Sequence, residues 1–315
     1  MKIGTLLPSA TEIVCALGLE KNLVGISHEC DFPSSVSNLP CLTSSSIGKH
    51  KNSEDIHQSV EILLKNSLSV YDLDLELLKS LKPNYLITQD LCDVCAVSFD
   101  QVKDACRKVM GTDTKIISLR PQRLKDVWED VRRVAEELKV MAAYEKFKKD
   151  VDDRINYISS KVKEKSSIKR SVLTIEWYAP VMIGGLWLPE MIEIAGGDYL
   201  LATPGEHALT VTQEKLNEIN PDVVIIKPCG FKLEQTMQEL EILNKNIPLE
   251  NWKAYQNSDI FIVDGNAYFN RPGPRMIDSL EMLSYCLHSK IFPEFLEKYG
   301  SSLVKLGPGL EFMQS

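Results

Sequence analysis

The feature that most constrains the fold is a long central stretch without glycine or proline, residues 122–179. Apolar residues recur along it at helical spacing, for example at Leu124, Val127 and Val131, and later at Val151 and Ile155. This spacing is typical of an amphipathic helix, and it continues well beyond the ~10–14 residues of an average helix. A coiled coil is the simplest alternative, but the stretch lies between two regions with alternating strand and helix patterns. We therefore predict one long helix, over 121–168, that joins two lobes.

The regions on either side of this helix alternate short apolar runs with helical patterns. We predict strands at 2–7, 23–27, 85–89, 115–119, 171–177, 222–227 and 260–264, and helices that include 98–110 and 233–244. Repeated βαβ units favour parallel strands with right-handed crossovers. The sequence therefore predicts an α/β protein with two Rossmann-like lobes, residues 1–120 and 169–315, which have parallel sheets and a ligand cleft between them.

Composition excludes several classes of function. The formal net charge is -8, and no dense stripe of Lys and Arg is present, so we expect no nucleic-acid partner. No run of ~18 apolar residues occurs, so we expect no membrane insertion. The start of the chain lacks the pattern of a secretory leader, which favours a cytoplasmic monomer, or a periplasmic or extracellular protein if a leader has been removed. The eight cysteines are expected to be reduced thiols.

Aromatic and polar residues follow the predicted strand ends, where parallel sheets bind ligands. Three aromatic faces of ~150–250 Å² each, at ~25 cal/mol per Å², supply roughly 11–19 kcal/mol before binding costs, which suits a large flat ligand. The alternative is that these rings only pack beneath loops. The candidate ligand-binding residues are His28, Glu29, Phe32, Gln89, Cys92, Cys95, Trp177, Tyr178, Trp187, Phe231, Tyr268, Asn270 and Arg271.

The pair Cys92 and Cys95 forms a C-x-x-C motif with several interpretations. With Cys30 and His28 it has the ligand types of a zinc site. It also fits a redox-active pair, a structural element or a ligand contact. His28 and His207 are candidate axial ligands to cobalt or iron, although a hydrogen-bonded loop histidine is the simpler interpretation. No hydrolase, zinc-protease or P-loop motif is present, so we expect no enzyme activity.

Several stretches resemble one family of binding proteins. The chain is similar to the class III substrate-binding proteins of ABC importers, in particular to their cobalamin-binding, C-x-x-C-containing branch. The matching stretches are LPSATE at 7–12, LKPN at 81–84, TQDLCDVCAV at 88–97, PEM at 189–191, AGG at 195–197, PCGF at 228–231 and YFNRPGPR at 268–275. The resemblance implies two lobes joined by a long helix, with limited closure around a corrinoid such as cobalamin.

The same resemblance implies partners and further site residues. It implies one docking glutamate on each lobe, Glu76 and Glu214, that pairs with arginines of an ABC permease. Glu29 stands where the family has an aromatic residue that stacks on the ligand, and Tyr71 stands where a tryptophan is expected. Tyr71 is therefore added to the candidate ligand-binding residues.

Three functional hypotheses follow. The first is a corrinoid-binding protein that serves an ABC importer or acts as a cytoplasmic carrier. The second is an iron-chelate or haem binder of the same fold. The third is a cytoplasmic metal- or thiol-dependent enzyme or regulator that uses Cys30, Cys92 and Cys95.

Overall fold

The chain folds as two compact α/β units. The computed structural model describes residues 1–46, 52–65, 71–90, 114–307 and 312–313. Unit 1 comprises Met1–Pro121 and Lys125–Lys149, and unit 2 comprises Gln122–Leu124 and Asp150–Ser315. The α/β class predicted from the alternating patterns is confirmed.

Unit 1 is built on a parallel sheet. Its described strands lie in the order β2-β1-β5-β6, and the register places Ile3 beside Tyr85 and Tyr85 beside Lys115. A separate antiparallel pair, β3 and β4, brings Thr43 opposite Leu73. The strands are β1 (Ile3–Thr5), β2 (Leu23–Gly25), β3 (Thr43–Ser45), β4 (Tyr71–Leu73), β5 (Tyr85–Gln89) and β6 (Lys115–Leu119).

Helices cover this sheet and bury its apolar residues. Ile3, Ile13, Ile87 and Val131 belong to one buried cluster, which joins the sheet to α1 and α4. The helix α3 begins after Asp74, whose Oδ1 accepts a hydrogen bond from the Leu77 amide at 2.9 Å. The helices are α1 (Pro8–Ala16), α2 (Ser53–Lys65), α3 (Leu75–Leu81), α4 (Leu124–Glu137) and α5 (Met141–Lys165), and the predicted helix 98–110 lies outside the described residues.

The central glycine-free stretch forms two helices, so the prediction of one continuous helix is wrong. The break follows α4, where Lys139 has a left-handed φ of 60°. The Lys139 amide donates to the Glu136 carbonyl at 3.1 Å, and the Val140 amide donates to the Ala135 carbonyl at 2.8 Å. These two bonds form a Schellman motif, which ends a helix and usually has glycine at the left-handed position. Residues 141–149 of α5 belong to unit 1, and the rest of that helix belongs to unit 2.

Unit 2 contains a mixed sheet, which corrects the prediction of only parallel strands. The described strands follow the order β10-β8-β7-β11-β12-β13-β14, and β9 also pairs with β7. The strands β9, β7, β11 and β12 pair with one another in parallel. On either side of them, β8 pairs antiparallel with β7 and β10, and β13 pairs antiparallel with β12 and β14. The strands are β7 (Arg170–Tyr178), β8 (Val181–Ile183), β9 (Gly197–Tyr199), β10 (Leu209–Thr210), β11 (Val223–Ile226), β12 (Ile260–Val263), β13 (Leu303–Leu306) and β14 (Phe312–Met313).

The helices of unit 2 include one that is almost entirely buried, α11. The predicted helix 233–244 divides into α8 and α9 at Glu239, whose φ of -106° and ψ of 19° interrupt the helical hydrogen bonding. The helices are α6 (Leu188–Ile194), α7 (Gln213–Glu218), α8 (Leu233–Gln238), α9 (Leu240–Asn246), α10 (Lys253–Gln256), α11 (Met276–Leu287) and α12 (Pro293–Tyr299).

A cluster of charged side chains ties the last part of α5 to α11 and α12 within unit 2. Arg154 donates through Nε to Glu281 Oε1 at 2.7 Å and also pairs with Asp278. The Tyr299 hydroxyl lies 2.8 Å from Asp278 Oδ1. Burial acts to raise the pKa of Glu281, but hydrogen bonds from Arg154, Lys298 and Tyr299 hold that pKa below its usual value.

In the described ranges, no helix combines the length and the apolar character that crossing a lipid bilayer requires.

Candidate functional site

The carboxyl ends of β7, β11 and β12 lie side by side in unit 2, because these three strands are parallel and adjacent. Trp177, near the end of β7, is half-buried, and its ring centroid lies 5.3 Å from that of Phe231 at an interplanar angle of 72°. Phe231 follows β11, and its side chain is buried. This edge-to-face pair leaves part of the indole accessible while Phe231 supports it from within the unit.

Two other predicted aromatic residues are buried and form hydrogen bonds inside unit 2. Tyr178 is buried, and its hydroxyl donates to Glu239 Oε2 at 2.9 Å. Trp187 is buried, and its Nε1 donates to the Phe269 carbonyl at 2.9 Å. Both side chains hold neighbouring loops in place, and a direct ligand contact from either residue stays a prediction.

Sequence reasoning missed a polar cluster at these strand ends. The Lys227 side chain is fully buried, and its Nζ donates to Glu176 Oε2 at 2.6 Å and to Asn270 Oδ1 at 2.9 Å. Glu176 lies at a β-bulge, where the β7–β8 register shifts between Ile175 and Trp177. Such bulges redirect side chains at the edges of binding sites. A lysine and a glutamate directly after apolar strand residues were the available signal, but only the strand pairing brings them together.

The loop after β12 carries the remaining predicted residues of unit 2. Asn270 Nδ2 donates to the Gly265 carbonyl at 2.8 Å and to the Lys227 carbonyl at 3.3 Å. A Cβ atom on Gly265 would lie 2.1 Å from the Pro228 carbonyl oxygen, so no side chain fits at this position. The Arg271 side chain is buried and donates to Asn266 Oδ1 at 3.0 Å. Tyr268 is half-buried, with the Arg275 guanidinium 5.4 Å from its ring centroid.

In unit 1, His28 lies at the centre of a hydrogen-bond network after β2. The Thr43 hydroxyl donates to Ser27 Oγ at 2.9 Å, so its oxygen accepts from the His28 backbone amide at 3.2 Å. His28 Nδ1 lies 2.7 Å from the same Thr43 oxygen, and the only remaining role for this oxygen is to accept. The hydrogen-bond pattern therefore makes Nδ1 the donor to Thr43.

The surroundings of His28 Nε2 are polar and aromatic. Nε2 is buried without a hydrogen-bond partner in the described structure, and Glu29 Oε1 lies 3.3 Å away. The Tyr71 ring centroid lies 5.2 Å from that of His28, so two residues predicted from different segments are brought together. Phe32 is 45% exposed, whereas Gln89 is buried at the end of β5.

The cysteine hypotheses receive no structural support from the described residues. Cys30 is buried, and its Sγ lies 3.0 Å from Thr11 Oγ1, which in turn lies 2.6 Å from Thr5 Oγ1. Cys92 and Cys95 lie outside the described residues. Within the described ranges, no group of three or more His, Cys, Asp or Glu residues has the arrangement of a metal site. His207 is exposed.

The two predicted docking glutamates occupy matching positions. Glu76 and Glu214 are both exposed, and each is the second residue of a short helix, α3 or α7. Asp74 and Thr212 cap these helices by accepting hydrogen bonds from the Leu77 and Lys215 amides. Hydrogen bonds from its own backbone amide and from the Thr212 hydroxyl hold the pKa of Glu214 below its usual value.

Comparison with known proteins identifies the family. A family model described as periplasmic binding protein matches residues 3–267. The chain belongs to the periplasmic binding protein family. Members of this family are solute-binding components of ABC importers and are not enzymes, in agreement with the sequence-based expectation. No curated protein matches the chain.

Solved structures of other periplasmic binding proteins share the fold. A haem-binding protein from Pseudomonas aeruginosa is 18% identical with a TM-score of 0.68, covering 100% of this chain and 98% of the other. RhuT from Roseiflexus sp. RS-1, also haem-binding, is 20% identical with a TM-score of 0.67, covering 92% and 98%. The vitamin B12-binding protein BtuF of Vibrio cholerae is 18% identical with a TM-score of 0.61, covering 91% and 96%. These similarities confirm the fold of this periplasmic binding protein.

Proposed function

We propose that this periplasmic binding protein binds a corrinoid such as cobalamin, with contacts from the loops that follow β7, β11 and β12. The observation that carries the proposal is the half-buried Trp177 indole, supported by the buried Phe231 ring at 5.3 Å. A supported indole offers a flat apolar face to a macrocycle at little entropic cost, because the side chain is already held. Tyr268 provides a second half-buried ring at the same edge of the sheet.

A second candidate ligand is haem or another iron chelate. The specific observation in its favour is His28 Nε2, which is buried and has no hydrogen-bond partner in the described structure, while Nδ1 contacts the Thr43 oxygen. A neutral imidazole with Nδ1–H bonded to an oxygen is the usual form of an iron-ligating histidine. Structural neighbours that bind haem support this candidate, as BtuF supports the first.

Titration of the purified protein with cyanocobalamin, dicyanocobinamide and haemin tests the proposal. By calorimetry we expect a corrinoid dissociation constant of about 1 μM or lower and a negative heat-capacity change from apolar burial. Trp177→Ala should weaken corrinoid binding at least about tenfold, about 1.4 kcal/mol, since the flat contact is lost. Tyr157→Ala removes a ring that is 42% exposed on α5 and should leave the affinity unchanged. Tighter binding of haemin would favour the second candidate, and binding of none of the three would contradict the proposal.

We also propose that Glu76 and Glu214 are the contacts to an ABC permease, one from each unit. The proposal is supported by the matched positions of the two glutamates, since each carboxylate is exposed in the first turn of a capped helix. Among the residues that the structure describes, neither carboxylate forms an ion pair, so both can meet a cationic partner directly.

A reducing, cytoplasmic environment is proposed from the cysteines, with a periplasmic or extracellular location as the alternative. The described cysteines Cys15, Cys30, Cys41, Cys229 and Cys286 are all free thiols. Burial raises the pKa of Cys15 to about 12, with smaller contributions from nearby carboxylates, and burial also raises the pKa of Cys286. These two thiols therefore stay protonated and unreactive at neutral pH.

A further inference from the structure

We propose that Glu176, held by the buried Lys227, selects ligands whose periphery carries carboxamides over ligands whose periphery carries carboxylates. The inference rests on the proposed binding of a corrinoid at these loops and goes further, since it assigns a specificity role to a residue of this site. It follows from which polar groups of the cluster formed by Lys227, Glu176 and Asn270 are already hydrogen-bonded.

The positive charge of the cluster is already paired within unit 2. Lys227 is fully buried, and its ammonium donates to Glu176 and to Asn270. Asn270 is committed as well, because its oxygen accepts from Lys227 and its amide nitrogen donates to the Lys227 and Gly265 carbonyls. The cluster therefore offers no unpaired cation to a carboxylate on a ligand.

The acceptor side of the cluster is still available. Oε2 of Glu176 accepts from Lys227, and within the described part of the chain no hydrogen bond is formed to Oε1. The Glu176 side chain is 26% exposed and directly precedes Trp177. The β-bulge and the bond from the Cys229 amide to the Glu176 carbonyl, at 3.1 Å, fix the backbone that carries this carboxylate. Glu176 Oε1 is thus a fixed, charged acceptor near the end of β7, one residue before the proposed stacking indole.

The chemistry of such an acceptor distinguishes two kinds of macrocycle. A primary carboxamide donates an N–H to a carboxylate, and a bond to an ionised acceptor is stronger than a neutral one. A carboxylate on the ligand meets Glu176 as a like charge, which is strongly unfavourable in a desolvated contact. Selection therefore comes from attraction of amides and from repulsion of carboxylates at the same oxygen.

The test compares two corrinoids with the same ring, dicyanocobinamide and dicyanocobyrinic acid, in which the peripheral amides are replaced by carboxylic acids. We expect the wild-type protein to bind the amide form about 10–100-fold more tightly at pH 7.5. The double variant Glu176→Gln/Lys227→Met removes both charges together. In this variant, the ratio of the two dissociation constants, acid form to amide form, should fall about tenfold. The double variant leaves the net charge unchanged, whereas Glu234→Gln removes one negative charge at an exposed position of α8 and should keep the wild-type ratio.

Different failures have different meanings. Equal affinity of the wild-type protein for the two corrinoids overturns the inference without use of any variant. An unchanged ratio in a double variant with native circular dichroism also overturns it. If the wild-type protein binds neither corrinoid, the proposed function is wrong and the inference fails with it.

Discussion

Burial of the Lys227 ammonium in unit 2 carries a large desolvation cost. Its side chain has no exposed surface, whereas its partner Glu176 keeps 26% of its own. Removing one member of a buried ion pair leaves the other charge uncompensated, at a cost of about 3–5 kcal/mol. The cost depends on which charge remains, because Glu176 has access to water and Lys227 has none.

We therefore expect the two single substitutions to differ. Glu176→Gln strands a buried ammonium and should lower the free energy of unfolding by about 3 kcal/mol. Lys227→Met leaves a carboxylate that water can solvate and should cost less, about 1–2 kcal/mol. Urea denaturation at pH 7.5 measures both, and the double variant should cost less than the sum of the two. A larger loss for Lys227→Met than for Glu176→Gln would contradict the asymmetric burial.

The sequence pointed to some residues of this cluster and not to others. Asn270 was predicted because it follows an apolar strand within a recognisable motif. Glu176 and Lys227 looked like ordinary strand-end charges, since their contact depends on β7 pairing with β11 so that Ile175 faces Ile226. A single sequence carries no direct signal for that pairing, and therefore none for the buried ion pair.

The break between α4 and α5 is the element that sequence patterning misjudged. Apolar periodicity continues across it, and neither glycine nor proline marks the site. Lys139 takes the left-handed conformation that the Schellman motif requires, with φ of 60°. Left-handed backbone costs a residue with a Cβ roughly 1–2 kcal/mol, whereas glycine adopts it freely.

Glycine at the break should therefore stabilise the protein. We expect Lys139→Gly to raise the free energy of unfolding by about 0.5–1 kcal/mol in chemical denaturation. The same substitution at Lys146, exposed within α5, is the matched control and should lower it by about 1 kcal/mol. Destabilisation of both variants to the same extent would mean that the helix is continuous through Lys139.

Other elements were predicted in proportion to their length and regularity. β5 and β6 occupy the predicted ranges 85–89 and 115–119. The short strands β8 and β9 were missed because three residues beside a proline or a glycine carry no measurable periodicity. They form because β7 is long enough to pair with both along the edge not used by β11.

At the scale of the whole molecule, the chain repeats one design in two units. Each unit has a sheet with adjacent parallel strands, polar and aromatic residues after the strand ends, and a capped short helix with an exposed glutamate. The resemblance of the motifs suggested this organisation, and the family match at residues 3–267 confirms the family. Structures of this fold include haem-binding and vitamin B12-binding proteins, so ligand choice depends on the residues of the site and not on the fold.

The paired glutamates lead to a prediction about partner binding. Glu76→Arg and Glu214→Arg should each weaken binding to a corrinoid-importing ABC permease in nanodiscs at least about tenfold, because each reversal replaces attraction with repulsion. Corrinoid affinity should not change. Glu54→Arg and Glu250→Arg are controls at other exposed positions, one in each unit, and should bind the permease as the wild-type protein does. Equal permease affinity in all four variants would contradict the docking role.

The contact between Gly265 and the Pro228 carbonyl has a consequence for redesign of this protein. A hypothetical Cβ at Gly265 would lie 2.1 Å from that oxygen, so the loop after β12 rests on main chain where only a hydrogen atom fits. The half-buried rings Trp177 and Tyr268 are not confined in this way. A library randomised at these two rings can alter ligand preference in folded proteins, whereas one that includes Gly265 will consist largely of chains that cannot close the loop.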